Sequence, residues 1–509
     1  MVGQRVTIMQ HPLYKAELPD FIKVDDFVCG SKQRVVNSRY VTPYLTEADN
    51  TQDAAISYSN RLARSYNKNI SRPYLEIHYA HLSQPITHGV KESGAMDEIL
   101  ADITGYGDTL DTFVRSAMWE YMKHGRVGVL VDGANVAPAS AQEEAASGMR
   151  SYSVLYPATH ILEWEQFSSG PRRGKFESVT LFEKPYYENG KSYSRALRMF
   201  FMGDGSRWVW QRLQSTEGKE TDYYSQSAYD AQQKEFTVIA EGEGSTENIP
   251  FVMTGCGLDD SLIFQNVEYN CAHLNLLSTV TNIIYNQGFQ RSIIVGDIDE
   301  TSFKRAGANI IWAFRGQSLG VHDIPPGNPE AGFRELGQLE LLAMRTGLMQ
   351  TYQLMDDTRA VQSAESKALD NKARTAEYNR ICDLFEDFTQ QILEYHAEYE
   401  GAGATEFSVT IGRDFGLDDP QMVAMQQALA NSLAQTIGVP SVSKEILKDI
   451  VAKMPLVAEE GETVDDKRKQ LMDEIDAAQE PAAQQPPRLS FGGTGQQVSL
   501  ADLANTNAQ

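Results

Sequence analysis

Between residues 259 and 399 the apolar pattern runs helix, short β segment, helix, polar loop, long helix, and no other stretch restricts the fold as much. In the first run, DDSLIFQNVEYNCAHLNLLSTVTNIIYNQ, Ile263, Val267, Leu274, Leu277 and Ile284 follow a 3.6-residue stripe. Asp259, Asp260 and Ser261 supply an N-cap and first-turn negative charge. The other side carries Gln265, Asn266, Asn270, Asn275, Asn282 and Asn286. Asparagine is a poor interior helix former, so this many of them predicts an exposed side chosen for contacts, with a second copy of a similar helix as its occupant. SIIVGDIDE and GANIIWAF then read as β runs, and Ile324-Pro325-Pro326-Gly327-Asn328-Pro329 stops regular structure.

Helical spacing returns in FRELGQLELLAMRTGLMQTY. Its glycines, Gly332, Gly337 and Gly347, each weaken it by about 1 kcal/mol against alanine, and Gly337 and Gly347 are the expected points of close packing or bending. The polar loop MDDTRAVQ contains Asp356, Asp357, Arg359 and Gln362. Residues 363–399 form the longest helical pattern, roughly 55 Å at 1.5 Å per residue, with Ile381, Phe385, Phe388, Ile392 and Tyr399 as its apolar stripe.

Ahead of this core lie helices and then strands. Leu18, Phe21, Val24, Phe27 and Val28 mark one buried face across one or two short helical turns within residues 11–30. Thr51 is placed to cap a helix over residues 51–68. A helix over residues 107–124 buries Leu110, Phe113, Val114, Ala117 and Tyr121 and ends in Lys123-His124-Gly125. Eight strand signals follow, over residues 126–132, 151–156, 161–167, 178–184, 195–203, 206–213, 236–241 and 250–253, with Gly203-Asp204-Gly205 as a hairpin turn. Residues 133–148 read as an exposed loop. After the long helix come a strand over 407–412 and helices over 420–437 and 443–451. From about residue 476 the chain is Ala, Gln, Pro, Gly and Asn and is expected to be disordered when alone. The fold class is α+β, with helices first and then a mainly antiparallel sheet.

A chain of 509 residues is expected to hold two to four folding units. Its 45 Lys plus Arg against 69 Asp plus Glu give a formal charge of -24, which excludes a broad basic face that grips nucleic acid. The four cysteines, Cys29, Cys256, Cys271 and Cys382, are scattered without a CxxC pair, so free thiols in a reducing compartment are expected. The first residues carry no apolar signal core, and no apolar run reaches about 18 residues.

Motifs of catalysis are sparse. Gly190-Lys191-Ser192 has the end of a phosphate-binding loop, but Pro185 replaces its first glycine. His78 and His81 have helical metal-ligand spacing without further ligands, and read as ordinary surface histidines. Asp356 with Asp357, and Asp297 with Asp299 and Glu300, are carboxylate pairs able to hold Mg²⁺, yet no phosphate-gripping loop or base accompanies them. Arg291, Lys304, Arg305 and Arg315 give the β insertion local positive charge suited to an acidic or nucleic-acid partner. No cofactor is signalled.

Four passages resemble the portal (head–tail connector) proteins of tailed bacteriophages, and more narrowly a portal-like group long catalogued without an assigned function. They are HPLYKAELPDF; HGRVGVLVD with SYSVLYPATHILEWEQ; IPFVMTGCG running into the helix at Asp259; and QSAESKALDNKARTAEYNRICDLFEDFTQQIL with the later Leu417-Asp418-Asp419-Pro420. They span about residues 11–455, in the family's order around the helix–β–helix–loop–helix core. The resemblance implies an N-terminal α+β wing (1–258), a helical stem (259–290 and 330–352) with a β-rich clip insertion (291–329), and a channel loop (353–362). It further implies a long helix (363–404), a helical crown (405–476) and a disordered tail (477–509).

It also implies a homo-oligomeric ring, usually of twelve subunits, at one capsid vertex of the virion, assembled in the host cytoplasm. Double-stranded DNA passes through the ring without sequence specificity during packaging and ejection. The terminase large subunit and neck or adaptor proteins dock on the clip, and major capsid or scaffold protein surrounds the ring. Neither a membrane nor an enzymatic reaction is implied. Carried onto this chain, Asp356, Asp357, Arg359 and Gln362 face DNA, Arg291, Lys304, Arg305 and Arg315 meet docking partners, and Asn266, Asn270, Asn275 and Asn282 meet the next subunit. The alternatives are a phage adaptor or scaffold protein that forms no channel, and, third, a metal-dependent phosphoesterase, which needs a convergent carboxylate and histidine site.

Overall fold

A computed structural model describes residues 3–90, 94–133, 150–188, 191–202, 205, 207–215, 235–287, 291–295, 311–314, 320–324, 329–345, 364–401, 407–415 and 469. The chain divides into two units, Met1–Phe415 and Gly416–Gln509. Lys469 is the one described residue of the second, so the expected helices beyond residue 415 and the tail lie outside the described residues, as does the channel loop of the first unit. The strand expected to open the crown belongs to the first unit, which continues to Phe415.

The first unit is α+β. Its leading helix is single: α1, Pro12–Cys29, begins with His11 Nδ1 accepting from the Leu13 amide and ends at Gly30, whose φ of 66° is the left-handed C-cap. Pro19 forgoes one helical bond, but the buried face continues through it from Tyr14 and Leu18 to Phe21, Val24, Phe27 and Val28, so the helix does not split. Helices α2 (Lys32–Val35) and α3 (Gln52–Arg64) follow, with Thr51 Oγ1 capping α3 at the Ala54 amide. Then come α4 (Ser71–Leu82), α5 (Gly94–Ala101) and α6 (Leu110–His124). Gly125, with φ 66°, ends α6 as its sequence anticipates.

Strands β1 (Arg5–Thr7), β5 (Ile161–Gln166), β6 (Phe176–Glu188), β7 (Lys191–Phe201), β8 (Trp208–Ser215) and β9 (Glu235–Glu243) make one antiparallel sheet in the order β1-β9-β8-β7-β6-β5. The pairing Glu188↔Lys191 puts Lys191 and Ser192 at the start of a strand with no helix after them, which removes the phosphate-loop reading. A second sheet, β10-β3-β4, is built from β3 (Val127–Asp132), β4 (Tyr152–Pro157) and β10 (Phe251–Thr254).

Strand alternation gives the large sheet two apolar faces. One, with Leu181, Leu197, Met199 and Trp208, packs on Leu130, Tyr156 and Phe251 of the small sheet. The other, with Phe182, Ala196, Leu213, Phe236 and Val238, is covered by Tyr14 and Leu18 of α1. A two-stranded sheet pairs β2 (Ile86–Val90) with β14 (Phe407–Ile411).

The core stretch comprises α7 (Phe264–Gln287), strands β11 (Arg291–Val295), β12 (Ile311–Phe314) and β13 (Gly320–Ile324), then α8 (Glu330–Arg345) and α9 (Ala364–Tyr399). The three strands form a sheet in the order β12-β11-β13, parallel between β11 and β12 and antiparallel between β11 and β13. The C-terminal half of α9 buries Ile381, Phe385, Phe388 and Ile392, and the Phe385 ring meets Tyr121 of α6 edge-on at 5.5 Å.

Candidate assembly interface

The helix–β–helix strut is the candidate functional element, and its anchorage is mostly polar. Helix α7 starts five residues later than its sequence indicates. A 3-10 turn over Leu258–Asp260 comes first, and Ser261 Oγ then caps the amides of Ile263 and Phe264 at 3.3 and 3.1 Å. The same hydroxyl donates to the Lys123 carbonyl at 2.6 Å, and the Leu262 amide donates to Met122 O at 3.1 Å, which seats α7 on the end of α6. This contact requires glycine: a Cβ on Gly125 would stand 1.7 Å from the Gly257 carbonyl oxygen. Buried Arg126 braces the joint through Glu17 (3.0 Å) and the Cys256 carbonyl (2.8 Å), lying over the Trp164 ring.

Along its length α7 is pressed from two sides. Towards the N-terminal helices, Asn275 Nδ2 donates to the Tyr40 carbonyl (2.8 Å) while its Oδ1 accepts from the Thr42 amide (2.8 Å). Asn270 Oδ1 accepts from the Ile70 amide (3.4 Å), and Asn282 Oδ1 accepts from Arg64 (3.1 Å). Arg61 of α3 forms the centre. Its guanidinium grips Glu47 through Nε (2.9 Å) and Nη2 (2.7 Å), donates to the Thr42 carbonyl (2.6 Å) and to Ser278 Oγ (3.0 Å), and lies 4.0 Å from the Tyr44 ring centroid.

On the other side α8 runs antiparallel to α7. Asn266 Nδ2 donates to the Ala343 carbonyl (2.5 Å), His273 meets Glu340 (3.1 Å), and Lys68 closes on the same carboxylate (2.6 Å). Leu277, Val280 and Leu336 form the apolar part of the contact. A Cβ on Gly332 would lie 2.5 Å from Val280 Cγ2, whereas one on Gly337 would meet nothing within 4 Å. The close approach is therefore at Gly332, where Val280 of α7 faces it; Gly337 faces open space, and Gly347 is outside the described residues.

The asparagine side of α7 consequently needs correction. Asn266 and Asn270 are 0% exposed and bond within the chain instead of presenting a surface to a neighbour, while Asn275 and Asn282 bond within the chain and are half-buried. The apolar stripe also ends early: Ile263, Val267, Leu274 and Leu277 are buried but Ile284 is 40% exposed, because the body's packing stops before the end of α7. Arg291 lies on β11 opposite Ile324. Lys304, Arg305, Arg315, Asp356, Asp357, Arg359 and Gln362 lie outside the described residues, as do Asp297, Asp299 and Glu300.

Sequence reasoning missed Arg61, Glu47 and Ser278, and Ser65, whose hydroxyl bonds Ser278 Oγ at 2.8 Å. The buried residues of α3 are Ala54 and Arg61, so no apolar stripe marks this face. The histidine reading also changes. His78 is buried, with Nδ1 on the Tyr378 hydroxyl at 2.8 Å, and its pKa falls to about 3 through burial and the nearby Arg374 charge. His81 Nδ1 bonds the Phe415 carbonyl at 2.7 Å, so the two rings make separate hydrogen bonds while both pack on Tyr378.

One buried cluster contains the residue types of a hydrolase triad. His396 Nδ1 and Nε2 each lie 2.8 Å from a hydroxyl, of Ser151 and Ser153, and Ser151 Oγ donates to Glu400 at 2.8 Å. Since Ser151 gives its proton to the carboxylate, it accepts from Nδ1–H, and Nε2 accepts from Ser153. The carboxylate holds the serine, and the imidazole is oriented by two hydroxyls instead of by an acid, the reverse of a nucleophile–base–acid relay. The cluster instead fastens the end of α9 to β4. Among the described residues no group of three or more His, Cys, Asp or Glu is placed to hold a metal ion, and all four cysteines are free. Among the same residues no helix is long and apolar enough to cross a membrane.

Fold and site define an α+β protein with a helix–β–helix strut tied to its body by buried polar bonds. No protein-family model matches the chain, and no curated protein matches it. Among solved structures it is similar to a chain of "Neck of empty GTA particle computed with C6 symmetry", at 10% identity and a TM-score of 0.37, over 77% of this chain and 91% of that one. It is also similar to a chain of "Virion of native gene transfer agent (GTA) particle", at 10% identity and a TM-score of 0.36, over 78% of this chain and 94% of that one.

Proposed function

We propose that this chain is the portal protein of a tailed-phage-type particle: a structural subunit that joins identical copies into a ring at one capsid vertex. Double-stranded DNA passes through that ring during packaging and ejection. The observation that carries the reading is the strut itself, in which two antiparallel helices, α7 and α8, are separated in sequence by a three-stranded sheet and followed by the long α9. That arrangement has the stem–clip–stem order implied by the sequence resemblance. A ring requires head-to-tail contacts between copies, and a rigidly anchored strut supplies a fixed wall element. The net charge of -24 suits a conduit, since a wall that repels phosphate lets DNA slide where dense Lys and Arg would hold it. In this reading the β11–β13 sheet is the docking tip for the terminase large subunit and for neck or adaptor proteins, and no enzymatic step is assigned to the chain.

Native mass spectrometry with negative-stain imaging of the purified chain tests the proposal. A closed ring with an open axial hole is expected. A monomer, or a filament without a hole, favours an adaptor or scaffold role and overturns it.

A further inference from the structure

The β2–β14 ribbon has one edge held by a helix and one that stays open beside a recess. Its register sets which main-chain groups face outward. The Gly412 amide donates to the Pro85 carbonyl at 2.9 Å, so Ile86↔Ile411 and His88↔Val409 are the non-hydrogen-bonded pairs of this antiparallel ladder. The amides and carbonyls of these four residues therefore point away from the partner strand. On the β14 side the Ile411 amide is taken by Glu386 of α9 at 2.7 Å. On the β2 side Asp111 Oδ1 accepts from the Ile86 amide at 3.3 Å, standing where the carbonyl of a further strand would stand. Two residues on, the amide of exposed His88 faces outward with no acceptor among the described residues. A recess of about 310 Å³ lies along this edge; its lining includes the buried Leu100 and Leu110 together with Ile86, His88, Ala101 and Asp111.

A strand edge offers donors and acceptors at two-residue spacing, and an extended peptide answers that spacing where a helix does not. Strand β2, ITHGV, carries no lysine or proline that would block such pairing. Ile86 and His88 share the sheet face on which Val409 and Ile411 are buried, so alternate side chains of an added strand turn to the same side, towards Leu100 and Leu110. Asp111 borders the recess, and although Arg115 pairs with it at 2.8 Å, the chain's charge of -24 disfavours an acidic segment. We propose that the open edge of β2 docks an extended segment of a partner polypeptide, neutral or basic and with apolar residues at alternate positions, as the third strand of this sheet. Asp111 already occupies the edge at the Ile86 amide, so the added strand pairs from His88 towards Val90. This docking surface goes beyond the ring proposed above and does not depend on it.

A display library of randomised eight-residue peptides, panned on the full chain, is the probe. Enriched peptides are expected to carry apolar residues at alternate positions, and adding one should slow hydrogen exchange of residues 86–90 in the parent chain. His88→Pro removes the outward N–H and leaves the bonds to β14, because proline is accommodated where its nitrogen faces off a sheet edge. Ala101→Phe fills the recess. Fluorescence anisotropy should show each substitution weakening the enriched peptides about tenfold or more. Absence of enrichment, peptides without the two-residue period, or affinity and exchange unchanged across parent and variants overturns the proposal. If His88→Pro instead changes the native mass of the chain alone, the edge pairs with a second copy and the assignment to a partner polypeptide fails.

Discussion

Replacing Arg61 by methionine isolates the strongest tie between the strut and the N-terminal helices. The substitution keeps an unbranched stem but removes the guanidinium, which is 2% exposed. Glu47 is then left as a buried carboxylate without its partner, a state that costs about 3–5 kcal/mol. The Thr42 carbonyl and the Ser278 hydroxyl each lose a donor, at about 1 kcal/mol apiece. Stacking on Tyr44 is weakened, while the thioether regains some apolar contact. The sum is a loss of about 5 kcal/mol, between a thousandfold and ten-thousandfold in the folded-to-unfolded ratio. Glu47→Gln combined with Arg61→Met removes both charges and should recover about 2 kcal/mol of that loss. Urea unfolding followed by far-ultraviolet circular dichroism on the parent, both single variants and the double variant measures the cycle. If Arg61→Met costs under about 1 kcal/mol, or the double variant is no more stable than Arg61→Met, charge isolation does not set the strength of this anchor.

Two further predictions rest on the same geometry. Gly332→Ala places a methyl 2.5 Å from Val280 and should destabilise by about 1–3 kcal/mol despite its better helix propensity, whereas Gly337→Ala, in open space, should stabilise by about 0.5–1 kcal/mol; chemical denaturation of both variants, with Val280→Ala as the rescue of the first, checks the signs. Stability should also fall as the pH drops below about 6.5, because burial holds the pKa of His78 and His396 to about 3 and of His160 to about 4 while the unfolded chain takes up protons. The unfolded state binds more protons throughout that window, so each histidine contributes a slope of up to about 1.4 kcal/mol per pH unit. Asp25 acts lower in the range: burial alone would raise its pKa, but His124 and Lys123 outweigh it and hold the carboxyl far below normal, so its contribution is present above about pH 4 and is lost only in stronger acid. Urea midpoints at several pH values should show a shallower slope for His396→Gln than for the parent, and equal slopes would refute the assignment of His396 as a buried neutral imidazole.

Locally encoded features were legible in the sequence. The caps at Thr51 and Gly125, the apolar stripes of α1, α6 and α9, and strands β5 to β9 of the six-stranded sheet follow from short-range chemistry and sit where it puts them, whereas β1 was not foreseen. Elements that depend on distant partners were not. Strand β2, ITHGV, is five residues with an internal glycine, and it is held by β14 more than 300 residues away. Helix α4 buries Ser71, Tyr74 and His78 beside Leu75 and Leu82, so its inward face reads as half polar. The Arg61 clamp had no signal at all, since its burial is created by Thr42, Tyr44 and Glu47 of one segment and Ser278 of α7.

The asparagines of α7 show why polarity was taken for exposure. A helix with one buried side sorts its residues into apolar inside and polar outside. Helix α7 has two buried sides, one against the N-terminal helices and one against α8, and asparagine serves there as a short bidentate anchor to backbone groups that would otherwise be unpaired. The exposed apolar surface of the strut lies elsewhere. With the Asn270 and Asn275 side enclosed, exposed apolar area on the strut lies on the outer side of α8, at Phe333 (52%) and Leu341 (42%) on either side of the uncrowded Gly337, and at Ile284 and Tyr285 near the end of α7. Residues 333, 337 and 341 are spaced by four and so share one helical face. The exposed apolar side chains of the strut therefore gather along α8, while the buried asparagines act one layer inward to hold the strut in place.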